Sequence, residues 1–233
     1  HAAPIGHASG AFFLPTLVRG ARNLVLSAFD AADFIALAER EKPSHTFLVP
    51  TMLSIILERT DGAPDAHQFS RICYGASSIA PALLYRAIER FGNVFVQTYG
   101  QAESPMVITC LQPEDHGRIG SCGRPFTTVE VAIFDDDDNP LGVGKKGEIV
   151  CRGPQTMARY WNRPEATAEV FRGGWLHTGD IGRMDEDGYF YILDRKNDML
   201  ISGGYNVYPR EVEDVLISCE GVAAAAVVGL PDE

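Results

Sequence analysis

One stretch of the sequence combines polar, charged and glycine residues in a pattern that folding alone does not require. It covers residues 175–213 and reads WLHTGDIGRMDEDGYFYILDRKNDMLISGGYNVYPREVE. Within it, Asp180 follows a glycine, and Arg195 lies fifteen residues later at the predicted end of a strand. A carboxylate suits two vicinal hydroxyls, such as those of a ribose, and an arginine suits an anionic oxygen or a ribose. A plain salt bridge is the alternative, and on this pair alone it is favoured.

A second group of residues lies upstream and consists of Tyr99, Gly100, Gln101, Ala102 and Glu103. It offers a flat aromatic ring, a glycine without a side chain, an amide and a carboxylate. Such a set can stack on a base, admit a ligand close to the backbone and hold a divalent ion. A strand-end turn with a solvated glutamate explains the same residues equally well.

Two further segments are weaker candidates. His7 lies between glycines in PIGHASG, where a backbone can pass close to a substrate, although a lone histidine there is more often structural. The loop of Gly203, Gly204 and Tyr205 has neither the G-x-G-x-x-G nor the G-x-x-x-x-G-K-[ST] spacing of phosphate-binding loops. The order Ser-His-Asp and the H-E-x-x-H spacing do not occur, so serine hydrolase and zinc protease chemistry have no support.

Composition restricts the class of protein further. The 233 residues carry a formal net charge of −11, which argues against a surface for nucleic acid or anionic lipid. Five cysteines are spread along the chain without a C-x-x-C pair, a usage typical of free thiols in a reducing compartment. Since no apolar run reaches the roughly 18 residues of a membrane span, we expect a cytoplasmic protein without an integral membrane segment.

The elements that must position these residues begin with an α/β pattern. Asp30 is the predicted N-cap of a helix that Pro43 ends, and a strand, HTFLV, and a helix from Pro50 follow. RICY, PALLYRAIERFG and NVFVQTYG then read as strand, helix and strand, which predicts a right-handed parallel crossover. Ligands of such sheets gather outside the carboxyl ends of the strands, so residues 75–78 and 99–103 are expected to face one crevice.

After Pro113 the pattern changes to short strands separated by turns, which predicts a β-rich module, a barrel or a sandwich, over residues 118–193. The acidic run at residues 135–138 lacks the spacing of a calcium loop and reads as a solvated turn. Asp187 and Gly188 are predicted to form a hairpin turn. A strand ending in LISGG, a helix from Pro209 and a last strand over residues 222–230 complete the pattern.

Taken together, these segments resemble the adenylate-forming ligase superfamily, and specifically its acyl-CoA synthetases. PIGHASG resembles the family's acyl-pocket segment, YGASSIAP its adenine loop and TYGQAES its aromatic-G-x-T-E motif. GEIVCRGPQTMARYWNRPEAT is similar to the motif of its barrel, GWLHTGD to the ribose-binding motif, and DRKNDMLISGGYNVYPREVE to the hinge and thioester-loop motif. The motifs occur in family order over essentially the whole chain.

The resemblance implies an enzyme that joins a small-molecule carboxylic acid to ATP with Mg²⁺ and passes the acyl group to coenzyme A. The implied fold is α/β plus a β-barrel. Residues 1–194 would form part of the large AMP-binding domain, with the α/β crossover region at 1–112 and the barrel region at 113–194. Residues 195–233 would form the hinge and the start of the small α+β domain.

The resemblance also implies a role for individual residues. Glu103 would be catalytic and the magnesium ligand, Arg195 would be catalytic and hold the ribose or α-phosphate, and Asn197 would mark the hinge. The implied nucleotide contacts are Gly75, Ala76, Ser77, Tyr99, Gly100, Gln101, Ala102, Asp180, Ile192 and Arg195. The implied acyl contacts are His7 and Gly100, and the implied coenzyme A contacts are Gly203, Gly204 and Tyr205.

The sequence departs from the family pattern in three places. Ala102 replaces the usual threonine and removes a hydroxyl near the phosphates, and Asn197 stands where the family usually has aspartate or lysine. The family's phosphate loop and catalytic lysine, expected before His1 and beyond Glu233, are absent from these residues. We therefore expect an internal piece of a ligase with little or no adenylation activity by itself, and pyrophosphate exchange at a normal rate would contradict this.

Two other functions remain open at this point. A carrier-protein-loading adenylation domain would perform the same first step with a different acceptor. A non-catalytic adenylate-binding protein would explain Ala102.

Overall fold

The computed structural model of the protein describes residues 1–60, 69–202, 205–217, 219, 221–222 and 225–230. The chain divides into two compact units, His1–Gly123 and Arg124–Glu233. Within the described residues, no helix is long and apolar enough to cross a membrane.

The first unit is a sheet of mixed direction with helices. Its helices are α1 (Phe13–Val18), α2 (Ala31–Glu41), α3 (Pro50–Arg59) and α4 (Pro81–Phe91), with 3-10 turns at Ala8–Phe12 and Pro113–Asp115. Its strands are β1 (His45–Leu48), β2 (Arg71–Gly75), β3 (Phe95–Gln101) and β4 (Ser104–Leu111). They lie in the order β1-β2-β3-β4, parallel as far as β3 and antiparallel at β4.

Local sequence explains why these helices begin and end where they do. The Asp30 side chain accepts hydrogen bonds from the amides of Ala32 and Asp33, which confirms it as the N-cap of α2. Pro50 and Pro81 occupy the first turns of α3 and α4, where a missing N–H costs nothing. Helix α2 ends at Glu41, and its C-cap Lys42 has a left-handed conformation directly before Pro43.

The predicted strand, helix and strand are present as β2, α4 and β3. β2 and β3 are parallel, with Gly75 opposite Thr98. Tyr74 and Phe95 from the two strands are completely buried, and Phe91 at the end of α4 packs edge-on against Phe95. This shared core fixes the register that brings the two strand ends together.

The second unit contains an antiparallel sheet, as the β-rich pattern predicts. Strand β5 (Ser121–Pro125) runs from the first unit into the second. The remaining elements are β6 (Glu130–Phe134), β7 (Gly147–Arg152), α5 (Pro164–Val170), β8 (Phe171–Arg172), β9 (Trp175–Met184), β10 (Phe190–Arg195), β11 (Leu200–Ser202), β12 (Tyr205–Val207) and α6 (Pro209–Ile217). The order is β10-β9-β7-β6, with β8 beside β9 and β11 paired with β12. Closure into a barrel and the domain boundaries stay predictions.

Two of the predicted turns are present in this unit. Asp185 accepts hydrogen bonds from the amides of Asp187 and Tyr189, and Gly188 has a φ of 79°, which closes the predicted β9–β10 hairpin. In the acidic run, the Asp135 carboxylate accepts from two backbone amides of the turn. Ion pairs with basic side chains engage two further carboxylates of this run.

The predicted last strand is wrong for the residues that the structure describes. Residues 225–230 have no strand conformation. A single apolar segment becomes a strand only when another strand supplies hydrogen bonds to its backbone, and no described strand pairs with this one. The apolar pattern alone cannot predict such a partner.

Candidate functional site

Backbone geometry shapes the predicted adenine loop at the end of β2. A Cβ atom at Gly75 would overlap the carbonyl oxygen of Thr98 on β3, so the close approach of the two strands requires glycine. The next residue, Ala76, has a φ of 68°, a left-handed conformation that costs a non-glycine residue about 1–2 kcal/mol. Ala76 and Ser77 are exposed. A strained, solvent-open loop of this kind is typical of ligand sites.

The second predicted group continues from β3. The strand runs through Tyr99 to Gln101, and the register of its pairing with β4 shifts between these two residues. Tyr99 and Glu103 are half-buried, whereas Gly100 and Ala102 are exposed. Because Gly75 is in register with Thr98, the Tyr99 end of β3 lies beside the loop of β2.

The predicted acyl contact at His7 is less defined. His7 is exposed and directly precedes the 3-10 turn, and its carbonyl oxygen accepts a hydrogen bond of 2.9 Å from the amide of Gly10. A Cβ atom at Gly10 would overlap the backbone of Ile5, whereas one at Gly6 would meet nothing within 4 Å, so Gly10 serves a tight local turn. Within the described part of the chain, no hydrogen bond or ion pair joins His7 to Gly100.

A buried polar cluster that sequence reasoning missed lies under the adenine loop. The Tyr74 hydroxyl lies 3.1 Å from Oε1 of Gln97 and 3.2 Å from Nε2 of His116, whose Nδ1 lies 2.8 Å from the Gln112 carbonyl oxygen. Burial lowers the pKa of His116 and raises that of Tyr74. The three side chains border a cavity of about 50 Å³. It has room for a few waters but not for a nucleotide, because ligand pockets are typically several hundred Å³.

In the second unit, the structure brings together Asp180 and Arg195. They face each other in the antiparallel register of β9 and β10, and Nε of Arg195 lies 2.9 Å from Oδ1 of Asp180. The Asp180 side chain is 5% exposed, whereas that of Arg195 is 60% exposed. The salt bridge weighed from the sequence is therefore present. A carboxylate can accept several hydrogen bonds at once, so the ion pair is compatible with ribose binding.

The remaining predicted residues lie around the end of β10 and beyond it. Ile192 is exposed and opposite a glycine of β9, and Asn197 is exposed in the turn that follows β10. Gly203 and Gly204 lie outside the described residues. Tyr205 begins β12, but its side chain is outside the description as well.

Glu148 on β7 is a second feature that the sequence analysis missed. Its side chain is 7% exposed, and its Oε2 atom lies 3.2 Å from Nδ1 of His177, 3.3 Å from Nζ of Lys196 and 3.7 Å from Nη2 of Arg172. These partners lie between 24 and 48 residues away along the chain, so no local spacing shows the cluster. The available signal was a carboxylate at the start of the apolar strand segment GEIVC.

Comparison with known proteins identifies close relatives of the chain. The family model described as AMP-binding enzyme matches residues 1–161. The medium/long-chain-fatty-acid–CoA ligase FadD8 of Mycobacterium tuberculosis is 46% identical over 99% of this chain and 41% of its own length. A feruloyl-CoA synthase of Amycolatopsis is 41% identical over 99% of this chain and 48% of its own length. The chain thus spans less than half the length of these relatives.

Solved structures show the same similarity. The amide bond synthetase McbA of Marinactinospora thermotolerans superposes with a TM-score of 0.93 and 40% identity, over 99% of this chain and 48% of that one. The o-succinylbenzoate CoA synthetase MenE of Bacillus subtilis, in complex with the acyl-adenylate OSB-AMP, has a TM-score of 0.91 and 35% identity, over 100% of this chain and 48% of that one. The structure of MenE in complex with ATP and a magnesium ion has a TM-score of 0.90 and 35% identity, over 100% of this chain and 49% of that one.

Proposed function

Because this chain belongs to the AMP-binding enzyme family, we propose that it forms the central part of an acid–CoA ligase. Its relatives are about twice as long, so the activity is proposed for a longer polypeptide that contains this chain, here called the parent enzyme. For the 233 residues alone we expect little or no adenylation.

The proposed reaction has two steps. An oxygen of the substrate carboxylate attacks the α-phosphorus of ATP, the bond to the bridging oxygen breaks, and pyrophosphate leaves with the electron pair. The sulfur of coenzyme A, after loss of its proton, then attacks the acyl carbon and displaces AMP. The products are the acyl-CoA thioester, AMP and pyrophosphate.

The buried carboxylate of Asp180 beside the exposed guanidinium of Arg195 is the observation that carries this proposal. Asp180 would accept hydrogen bonds from the two ribose hydroxyls, and Arg195 would donate to the ribose or to an oxygen of the α-phosphate. Donors that meet the α-phosphate would stabilise the charge that develops there during transfer.

The adenine would be held by the first unit. Gly75, Ala76 and Ser77 would line one side of the base, and the Tyr99 ring would pack on its face. Gly100, Gln101, Ala102 and Ile192 would complete the nucleotide contacts. The exposure of Ala76 and Ser77 and the positive φ of Ala76 support this assignment, because a ligand can reach the backbone of this loop.

Glu103 fits the role of a magnesium ligand. It is a half-buried carboxylate in the turn between β3 and β4, and among the described residues no three His, Cys, Asp or Glu side chains are arranged so that they could hold a metal ion by themselves. A single carboxylate is sufficient, since Mg²⁺ in such sites is bound by one or two carboxylates together with phosphates and water. When bound, the ion would neutralise charge on the phosphates.

The other contacts concern the acyl group and its acceptor. His7 and Gly100 would border the acyl group. Gly203, Gly204 and Tyr205 would meet the pantetheine arm of coenzyme A once the small domain turns about Asn197, and such hinges usually lie at the end of an element. The similarity to an amide bond synthetase supports a second candidate acceptor, an amine. Assay of the parent enzyme with coenzyme A and with amines separates the two.

The experiment that tests the proposal measures acid-dependent exchange of pyrophosphate into ATP by the parent enzyme, with fatty and aromatic acids. We expect Asp180→Asn to lower kcat/KM for ATP roughly 10- to 100-fold, because a hydrogen bond to a charged group contributes about 1.5–3 kcal/mol. Asp137→Asn, the same change on an exposed carboxylate of the acidic turn, is the matched control. Equal rates in the two variants, or no exchange with any acid by the unmodified enzyme, would contradict the proposal.

A further inference from the structure

The strand that carries Asp180 is irregular where it meets β7. Glu148 is opposite Ile181 and Val150 is opposite His177, so three residues of β9, Thr178 to Asp180, face a single residue of β7. The middle one, Gly179, has a φ of 72°. Bulges of this kind change the direction in which a side chain points, and this one ends at the proposed ribose ligand.

Side chains hold the bulge in place from two sides. The Thr178 hydroxyl donates to the Ile149 carbonyl oxygen at 2.7 Å and accepts from the Asp180 amide at 3.1 Å. Oε1 of Glu148 accepts a hydrogen bond of 3.0 Å from the Gly179 amide. An amide that the bulge removes from the regular pairing is thereby satisfied, as buried backbone groups require.

The other oxygen of the same carboxylate reaches β10. Oε2 of Glu148 lies 3.3 Å from Nζ of Lys196, the residue directly after Arg195, and the Lys196 amide donates to the Gly179 carbonyl oxygen at 2.8 Å. One carboxylate therefore holds the neighbour of Asp180 and the neighbour of Arg195.

Carboxylates of the acidic turn accompany Glu148 around the two cations. Burial opposes the charge on Lys196, but its hydrogen bond to Asp136 and the charge of Glu148 outweigh burial, and the pKa of Lys196 is raised. Arg172, whose Nη2 lies 3.7 Å from the same Oε2 atom of Glu148, is paired with Asp138 at 2.9 Å, a bond that raises the pKa of its guanidinium. Lys196 thus stays charged at neutral pH.

We propose that Glu148 is a positioning residue for nucleotide binding, which fixes the β9 bulge and Lys196 so that Asp180 and Arg195 are aligned before the ribose arrives. This inference rests on the proposed function, because it takes Asp180 as the ribose ligand. Preorganisation of this kind increases affinity by reducing what must be ordered on binding.

The test compares affinities of the parent enzyme for AMP and for 2′,3′-dideoxy-AMP, which lacks both hydroxyls that Asp180 would bind. The affinity for AMP divided by the affinity for dideoxy-AMP measures the contribution of the two ribose hydroxyls. We expect Glu148→Gln to lower this ratio about three- to tenfold, the effect of one hydrogen bond, because the variant weakens AMP binding more than dideoxy-AMP binding. Glu130→Gln removes the same charge from an exposed residue of the neighbouring strand β6 and is expected to leave the ratio as it is.

Lys196→Met is the second variant and covers the case in which Glu148→Gln does not fold. It keeps the apolar stem and removes only the charged end, and we expect it to lower the same ratio. An unchanged ratio, or equal weakening of both nucleotides, would overturn the positioning role. If the unmodified enzyme shows no preference for AMP over dideoxy-AMP, the ribose assignment of Asp180 fails, and the positioning role fails with it.

Discussion

The two units present their candidate ligand contacts by different physical means. In the first unit, the loop after β2 depends on backbone geometry, with a glycine that no other residue can replace and an alanine at positive φ. In the second, Asp180 and Arg195 depend on a buried carboxylate, Glu148, and on Arg172 and Lys196 beside it. We therefore expect the first arrangement to be most sensitive to added volume and the second to be most sensitive to loss of charge.

The largest effect is expected from removal of the charge at the centre of the second unit. Glu148→Ala leaves the Gly179 amide and the two cations facing Glu148 without their shared acceptor, and loss of one partner in a buried ion pair costs roughly 3–5 kcal/mol. We expect a value near the lower end, because Lys196 and Arg172 retain their carboxylates of the acidic turn. Urea unfolding of both proteins measures this loss of stability.

The matched control for this variant is Glu130→Ala. Glu130 forms an ion pair with Arg152 on the same sheet, but its side chain is 64% exposed, and exposed pairs contribute little to stability. Equal losses of stability in Glu148→Ala and Glu130→Ala would refute the view that buried charge organises this unit.

A volume change at the loop of the first unit is expected to have the next largest effect. Gly75→Ala places a methyl group against the Thr98 carbonyl oxygen, and overpacking of this kind costs about 1–3 kcal/mol. The backbone of a central strand cannot move aside as a flexible side chain would. Gly117→Ala is the control, since a Cβ atom there meets nothing within 4 Å. If thermal unfolding shows the same stability for both variants, the loop does not depend on close backbone approach.

Much of the structure that carries the two candidate sites can be predicted from the sequence, because it depends on local patterns. The β2–α4–β3 unit follows from apolar periodicity, and the Asp187–Gly188 turn fixes the pairing of β9 and β10 as far as Ile192. A register shift between Ile192 and Asp194, which local pattern does not show, then brings Arg195 opposite Asp180. The family resemblance adds the roles of these residues and leaves their geometry open.

The parts that the sequence did not predict depend on contacts between distant residues. Strand β4 pairs antiparallel with β3, and the turn between them was predicted only as a ligand site. Glu148 meets its partners across three strands, and Tyr74 meets His116 from 42 residues away. A charged or hydroxyl-bearing residue in a buried strand signals such a cluster, but only the fold identifies its partners.

The smallest expected effect is a dependence of stability on pH. It shows whether the first unit keeps its buried polar groups neutral. Burial lowers the pKa of His116 in the folded protein, so the unfolded chain binds a proton more readily. Stability is therefore expected to fall as the pH decreases from the ordinary histidine pKa of about 6.5 towards the lower pKa of the folded state. His116→Asn removes the titrating ring and should reduce this slope, whereas the same change at the exposed His45 should not. Urea unfolding between pH 5 and 7 measures this dependence. If the free energy of unfolding depends on pH as strongly in His116→Asn as in the unmodified protein, His116 is not held neutral by burial, and the contrast with the charged cluster around Glu148 fails.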